Sequence, residues 1–110
     1  MDVLKKVPVK EQNPKVRATN FDEVCYGYNF DEAKQEASRC LQCKNPKCVA
    51  GCPVSINIPG FIKEIGNGNM EAAFQEISKY SALPAVCGRV CPQETQCEQR
   101  CIRGIKGEPV

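Results

Sequence analysis

Eight of the nine cysteines in this chain of 110 residues fall into two compact groups of four. The first group reads Cys40-x₂-Cys43-x₄-Cys48-x₃-Cys52, and the second reads Cys87-x₃-Cys91-x₅-Cys97-x₃-Cys101. Four thiolates together can hold an iron–sulfur cube or a tetrahedral zinc ion. The spacing favours two [4Fe–4S] clusters, which would equip the chain for one-electron chemistry.

The order of the cysteines predicts how they divide between two clusters. In bacterial two-cluster ferredoxins, three close cysteines precede a C-x₃-C-P sequence whose last cysteine binds the other cluster. The first group follows this plan with one longer gap, since Cys52 precedes Pro53. Cys97 and Cys101 are spaced i and i+4, so each can serve a different cluster. We therefore expect crossed ligation, with Cys40, Cys43, Cys48 and Cys101 at cluster one and Cys52, Cys91 and Cys97 at cluster two.

The pattern leaves two cysteines without a firm role. Cys87 is a possible eighth ligand, at cluster two. Cys25 lies outside both groups, and we interpret it as a buried structural thiol rather than a redox centre. Gly51 and Gly88 stand beside candidate ligands, where they either let the backbone approach cluster sulfide or simply form turns.

Zinc is the main alternative metal, and a structural zinc-binding interaction module is the alternative function. Structural zinc sites typically pair two C-x₂-C knuckles, whereas this sequence has one such knuckle and two Cys-Pro pairs. The absence of histidine excludes Cys₂His₂ zinc sites, His-ligated haem and histidine-dependent nucleophilic catalysis on this chain. We expect no catalytic residues on this segment.

Composition and charge indicate the cellular compartment and limit the classes of partner that we expect. The chain has no apolar run of signal-peptide or membrane-spanning length, so we expect a cytoplasmic protein without a membrane partner. Clustered cysteines in that reducing compartment more often hold metal than form disulfides. The 15 basic and 13 acidic residues are interspersed, and no aromatic platform accompanies them, so no nucleic-acid partner is expected.

Four helices are predicted to position the ligands, and they make the fold class all-α. Asn29 and Glu32 form the pattern of a capping box for a helix that brings Cys40 to its C-terminal end. A short helix is predicted over residues 59–65, and Asn69 can cap the next one. The apolar face of that helix is predicted to be core and comprises Ala73, Phe74, Ile77 and Tyr80. A last helix is predicted over residues 93–102.

The remaining segments are predicted to be irregular. Residues 1–20 form an extended N-terminal arm that lies on something else, and residues 21–110 form the helical two-cluster domain. Residues 21–28 are expected to make a turn of helix that packs Phe21, Val24 and Tyr28. Two loops rich in glycine and proline, over residues 44–58 and 83–92, are expected to bind the clusters.

Several motifs resemble the N-terminal domain of the glutamate synthase small-subunit family. They are Asn13-Pro14-Lys15-Val16-Arg17, Glu36-Ala37-Ser38-Arg39-Cys40-Leu41-Gln42-Cys43, Gly51-Cys52-Pro53-Val54 and Leu83-Pro84-Ala85-Val86-Cys87-Gly88-Arg89-Val90-Cys91-Pro92-Gln93-Glu94. Relatives of that family include the large subunit of NADH-dependent ferredoxin:NADP⁺ oxidoreductase and the N-terminal part of dihydropyrimidine dehydrogenase. The resemblance covers nearly the whole chain.

The resemblance implies an α-helical ferredoxin-type domain with two [4Fe–4S] clusters. It also implies a downstream flavin domain that binds FAD and NAD(P)H, which would make the parent chain an NAD(P)H-dependent oxidoreductase. Electrons would pass through the two clusters to a partner redox subunit, such as a glutamate synthase large subunit or a ferredoxin-type protein.

Two departures from the family pattern affect these expectations. The sequence contains no glycine-rich dinucleotide fingerprint, so the flavin domain is expected beyond Val110. In relatives, an acidic or amide side chain beyond this point often completes cluster two, and the residue matching Cys87 need not bind iron. In its place, Cys87 could bind iron, Glu94 or Glu108 could supply an oxygen ligand, or cluster two could be labile.

Overall fold

Helices and short loops alternate along the chain in the computed structural model, which describes residues 3–110. The helices are α1 (Pro14–Arg17), α2 (Phe30–Ala37), α3 (Lys47–Gly51), α4 (Ile58–Gly66), α5 (Met70–Ser78), α6 (Pro84–Val90) and α7 (Cys97–Arg100). Two 3₁₀ turns, Gln93–Thr95 and Ile102–Ile105, flank α7. The prediction of a small helical domain is confirmed. Within the described residues, no helix is both long and apolar enough to cross a membrane.

The three longest helices begin at the asparagine residues that cap them. Asn29 and Glu32 form the predicted capping box, in which the Asn29 side chain accepts from the Glu32 amide at 2.8 Å. Asn57 caps α4 one residue before Ile58, and Asn69 caps α5 as predicted. A cap of this kind is worth about 1 kcal/mol, because it satisfies an otherwise unpaired backbone amide.

Three predicted boundaries in the ligand-bearing segments are wrong. The expected loop over residues 44–58 contains α3, and the expected loop over residues 83–92 contains α6. The helix expected over residues 93–102 is broken, because Gln96 has backbone angles that no helix continues. The short helices α3 and α6 end at Cys52 and Cys91, where the following proline favours an extended backbone.

The N-terminal segment lies on the chain's own body and forms a two-stranded ladder. β1 (Lys10–Glu11) pairs antiparallel with β2 (Cys25–Gly27), with an irregular register between them. The helical turn expected over residues 21–28 is therefore wrong, and Phe21 is fully exposed rather than packed. Strands of two and three residues are too short to show an alternating pattern. Met1 and Asp2 of the predicted arm lie outside the described residues, and the division into arm and domain stays a prediction.

The apolar core is thin, as the composition indicates. Among the described residues, the buried hydrophobic side chains are Val7, Ile62 and Ala73. Of the face predicted to be the core side of α5, Ala73 is buried, but Phe74 and Tyr80 are exposed. A core this small rarely stabilises a domain without a metal or another cross-link.

A buried arginine compensates for part of this deficit by joining both ends of the described chain. Arg39 follows α2, and its side chain is 1% exposed. Its guanidinium donates to the carbonyl oxygens of Val3, Leu4, Glu108 and Pro109 and to the Glu36 carboxylate. The five N–H donors of an arginine are thereby all paired, which is the condition for burying this charge.

We call this network the Arg39 clasp and define it by Val3, Leu4, Glu36, Arg39, Glu108 and Pro109. Neighbouring contacts extend it. The Glu36 carboxylate also accepts from the Val7 amide at 2.8 Å, and the Glu108 amide donates to the Leu4 carbonyl at 2.7 Å. Gly107 packs so closely on Leu4 that a β-carbon there would lie 2.4 Å from the Leu4 oxygen. The clasp therefore fixes residues 3–7 against the segment that follows Cys101.

Candidate metal centre

One cavity of about 530 Å³ brings together all eight cysteines of the two sequence groups. Its lining cysteines are Cys40, Cys43, Cys48, Cys52, Cys87, Cys91, Cys97 and Cys101. Cys25 does not line it and is exposed on β2, so the prediction of a buried structural thiol is wrong. The rest of the wall is mainly apolar, with Ile58, Pro59, Ile62 and Ile77 among its residues.

The cysteines lie in loops and in or beside the short helices, with Cys48, Cys87 and Cys97 inside α3, α6 and α7. Cys40 and Cys43 follow α2, which ends at Ala37. Cys52, Cys91 and Cys101 occupy the C-cap positions of α3, α6 and α7, each with an extended backbone. Each of these short helices therefore ends at a thiol that lines the cavity.

Close packing of α3 on α7 holds the two cysteine groups together. A β-carbon on Gly51 of α3 would lie 2.6 Å from the Gln96 carbonyl oxygen and 2.9 Å from the Arg100 Cγ. Position 51 therefore requires glycine because α3 packs closely on α7 there. A β-carbon on Gly88 would meet no atom outside its own helix within 4 Å, and Gly88 lines the cavity, so it fits a position beside a bound group.

Electrostatic coupling joins Cys40 and Cys48 to two other thiols. Burial is the main factor that raises the pKa of Cys40, and the neighbouring Cys43 and Cys101 raise it further. Burial also raises the pKa of Cys48, with additional contributions from Cys101 and Cys40. Cys101 of the second sequence group thus lies among three cysteines of the first.

The other four thiols are coupled in the same way. Burial raises the pKa of Cys91, and Cys87 and Cys52 add to the effect. Burial raises the pKa of Cys97 as well, and the Glu98 carboxylate and Cys52 contribute to it. Cys52 of the first group thus lies among cysteines of the second. These raised pKa values favour the protonated thiols, and a bound cationic metal reverses the preference because it stabilises thiolates.

The donor set consists of sulfur atoms that are spread around the cavity. Among residues 3–110, no group of three or more cysteine, aspartate or glutamate side chains lies close enough to bind one metal ion. Eight thiols around an apolar cavity are a donor set of the kind that holds thiolate-bound iron–sulfur clusters.

Sequence reasoning missed Gln42, which lies between Cys40 and Cys43. Its side-chain amide nitrogen is 3.4 Å from the Cys40 sulfur, within the range of a hydrogen bond to sulfur. Its backbone has a φ of 50°, a left-handed conformation that costs a residue with a β-carbon roughly 1–2 kcal/mol. No sequence pattern predicts this conformation at Gln42, because glycine and asparagine are the usual residues in the left-handed region.

The Arg39 clasp, which sequence reasoning also missed, reaches the cavity wall. The Arg103 side chain donates to the Arg39 carbonyl oxygen at 2.7 Å. Arg39 precedes Cys40, and Arg103 is two residues after Cys101. One hydrogen bond therefore ties the backbone that carries Cys40 to the segment that carries Cys101.

Comparison with known families decides what this centre is. Residues 17–110 match the family described as dihydropyrimidine dehydrogenase domain II, 4Fe-4S cluster. The chain belongs to this family. It is therefore an iron–sulfur domain, and electron transfer is the chemistry that such a domain supports. The family assignment favours iron–sulfur ligation over the zinc alternative.

Curated relatives of this 4Fe–4S domain are subunits of oxidoreductases. The chain is 39% identical over 101 residues to the glutamate synthase [NADPH] small chain of Halomonas elongata, covering 92% of this chain and 21% of that protein. It is 38% identical over 98 residues to the Escherichia coli glutamate synthase [NADPH] small chain, with 89% and 21% covered. It is also 38% identical over 89 residues to the NAD-dependent dihydropyrimidine dehydrogenase subunit PreT of Salmonella typhimurium, with 81% and 22% covered.

These matches confirm the resemblance on which the sequence analysis relied. They cover most of this chain but about a fifth of the length of each relative. What is similar is therefore the iron–sulfur domain alone, and the activities of the larger proteins belong to those proteins.

Proposed function

We propose that this domain carries electrons through two [4Fe–4S] clusters, held side by side by the eight cavity-lining cysteines. The observation that carries the proposal is the crossed coupling of the thiols. Each set of four contains cysteines from both sequence groups, as the C-x₃-C-P plan of two-cluster ferredoxins requires.

Cluster one is assigned to Cys40, Cys43, Cys48 and Cys101. The pKa effects that join Cys40 and Cys48 to Cys43 and Cys101 support this set. A direct structural connection supports it as well, because Arg103 ties the segment next to Cys101 to the residue before Cys40. The residues of the Arg39 clasp would orient these ligands.

Cluster two is assigned to Cys52, Cys91 and Cys97, with Cys87 as the candidate fourth ligand. Of the three donors considered for that position, Cys87 lines the cavity, whereas Glu94 and Glu108 are exposed and do not contribute to its wall. Cys87 also acts on Cys91, because it contributes to the raised pKa of that thiol. In a longer parent chain, a side chain beyond Val110 could take over this position.

The protein's contribution to electron transfer is to hold, shield and insulate the clusters. A [4Fe–4S] cluster supplies a one-electron redox couple when bound. The apolar wall lowers the local dielectric, and N–H groups near the sulfurs stabilise their negative charge. The short helices keep the eight sulfur atoms in place, so that little reorganisation accompanies each transfer.

The electrons are proposed to come from a flavin domain that binds FAD and NAD(P)H and lies downstream in the parent chain. They would leave to a partner redox subunit, of the kind that a glutamate synthase large subunit or a ferredoxin-type protein provides. The supporting observation is that the similar proteins are named as glutamate synthase small chains and a dihydropyrimidine dehydrogenase subunit. A cytoplasmic location belongs to the same proposal.

Anaerobic reconstitution with iron and sulfide tests the cluster content. We expect about eight irons and about eight sulfides per chain, with a broad visible absorption that dithionite bleaches. About four irons would contradict the count of two clusters. Stoichiometric zinc without visible absorption, in protein purified anaerobically without added iron, would instead support the zinc-binding module.

Replacing Cys87 with serine tests the eighth ligand. We expect the iron content to fall from about eight toward about four, because cluster two would lose one of its four thiolates. Cys25→Ser is the matched control and should leave the iron content unchanged, since Cys25 is exposed and lies outside the cavity. Retention of about eight irons in Cys87→Ser would show that another group completes cluster two.

A further inference from the structure

Gln42 combines two properties that a simple linker residue between two ligands does not need. Its backbone is in the left-handed region, at a φ of 50°. Its side-chain Nε2 lies 3.4 Å from the Cys40 sulfur. A glutamine in this conformation is strained, whereas glycine would adopt it without cost. The unfavourable backbone conformation coincides with the side chain's contact to sulfur.

We propose that Gln42 sets the reduction potential of cluster one by donating an N–H···S hydrogen bond to Cys40. This inference rests on the proposed assignment of Cys40 to that cluster. An exposed amide is free to hydrogen-bond with water, so its orientation toward a sulfur is a specific feature of this turn.

The direction of the effect follows from charge. Reduction adds an electron to the cluster and increases the negative charge on its sulfur ligands. A hydrogen bond donated to sulfur therefore stabilises the reduced form more than the oxidised form and raises the potential. At cluster two, the Ser81 hydroxyl lies 3.8 Å from the Cys87 sulfur, a longer contact than the 3.4 Å from the Gln42 amide nitrogen to the Cys40 sulfur. The shorter contact from Gln42 would thus raise the potential of cluster one relative to that of cluster two.

Gln42→Asn is the most informative variant. Asparagine keeps the amide and tolerates a left-handed backbone, but its side chain is one methylene shorter and does not reach the same position. We expect about a threefold to tenfold fall in the equilibrium constant for reducing cluster one, from the net worth of one hydrogen bond. This corresponds to a shift of roughly 30–60 mV to lower potential for one electron. EPR-monitored redox titration of the anaerobically reconstituted chain measures it, and the potential of the other cluster should not change.

Two further variants complete the test. Gln42→Gly removes the side chain and relieves the backbone strain, so a similar fall in potential would show that the amide and not the turn is responsible. Gln99→Asn is the matched control, because Gln99 also lies between two candidate ligands, Cys97 and Cys101, and should keep both potentials.

Three outcomes would overturn the inference. They are unchanged potentials in Gln42→Asn and Gln42→Gly, an equal shift in the Gln99→Asn control, or the loss of about four irons in both Gln42 variants. The last result would make Gln42 a residue for cluster assembly. Failure of the unsubstituted chain to bind clusters at all would contradict the proposed function and is distinguished by its iron content.

Discussion

Cys101→Ser is expected to reduce the bound iron from about eight to about four per chain and to destabilise the whole domain. Cys101 contributes to the raised pKa of both Cys40 and Cys48, so it lies among the thiols of the first sequence group. Without its thiolate, cluster one would keep three protein ligands, all from residues 40–48. The link that this cluster provides between the first and second halves of the chain would be lost. Metal binding of this kind contributes directly to folding, and the apolar core is too thin to compensate.

Iron and sulfide analysis, EPR and thermal unfolding under anaerobic conditions measure these effects. Cys97→Ser is an informative comparison, because Cys97 stands one helical turn away and is assigned to the other cluster. This variant should also lose about four irons, but the remaining EPR signal should come from cluster one instead of cluster two. If Cys101→Ser and Cys97→Ser left the same cluster intact, the crossed assignment would be wrong. Cys25→Ser is again the control variant, and it should lose no iron.

Arg39→Lys is expected to lower the free energy of unfolding by about 3–5 kcal/mol, because several carbonyl oxygens would lose their donor and each such loss costs about 1–3 kcal/mol. Lysine keeps the positive charge, but its single ammonium cannot reach four carbonyl oxygens and the Glu36 carboxylate at once. Since small domains have total stabilities of roughly 5–15 kcal/mol, this loss is a large share of the whole. Denaturant unfolding of the reconstituted protein measures it.

The arginine variant has a second readout that a general loss of stability would not produce. The Arg39 clasp holds residues 3–7, so trypsin should cleave after Lys5 or Lys6 in Arg39→Lys under conditions where the rest of the domain stays intact. Arg89→Lys is the control. The Arg89 side chain is 63% exposed in its ion pair with Glu23, and such a surface pair is worth at most about 1 kcal/mol. Equal losses in the two variants would show that the clasp is not a principal source of stability.

Local sequence signals identified the capped helices and the cysteines of the cavity. Asparagine caps act within three residues, so Asn29 and Asn69 could be recognised without knowledge of the fold. The two cysteine groups could be recognised because four soft ligands at short spacing have few other uses in a chain without histidine. The division of the thiols between the clusters and the role of Cys87 remain predictions for the variants above.

Sequence reasoning failed where distant segments decide the outcome. Arg39 is indistinguishable in sequence from a surface arginine, because the four carbonyl groups that it binds lie 35 or more residues away, near both ends of the chain. The prediction of loops in place of α3 and α6 was wrong because Gly51 and Gly88 suggest turns. The requirement for Gly51 comes from its contact with α7, which the local sequence does not encode. Cys25 and Phe21 were expected to be buried, but the ladder between β1 and β2 leaves both of them exposed.

The division of the cavity wall between residues 40–52 and residues 87–101 has a consequence for the order of events during synthesis. A ribosome adds about 5–20 residues per second, so the first four thiols appear roughly 2–10 seconds before the last one. During that interval the nascent chain contains the four thiols of the first sequence group but lacks the residues that complete the cavity wall. With the proposed crossed ligation, insertion of both clusters would follow the synthesis of residues 87–101, and the early cysteines would depend on a reducing environment until then.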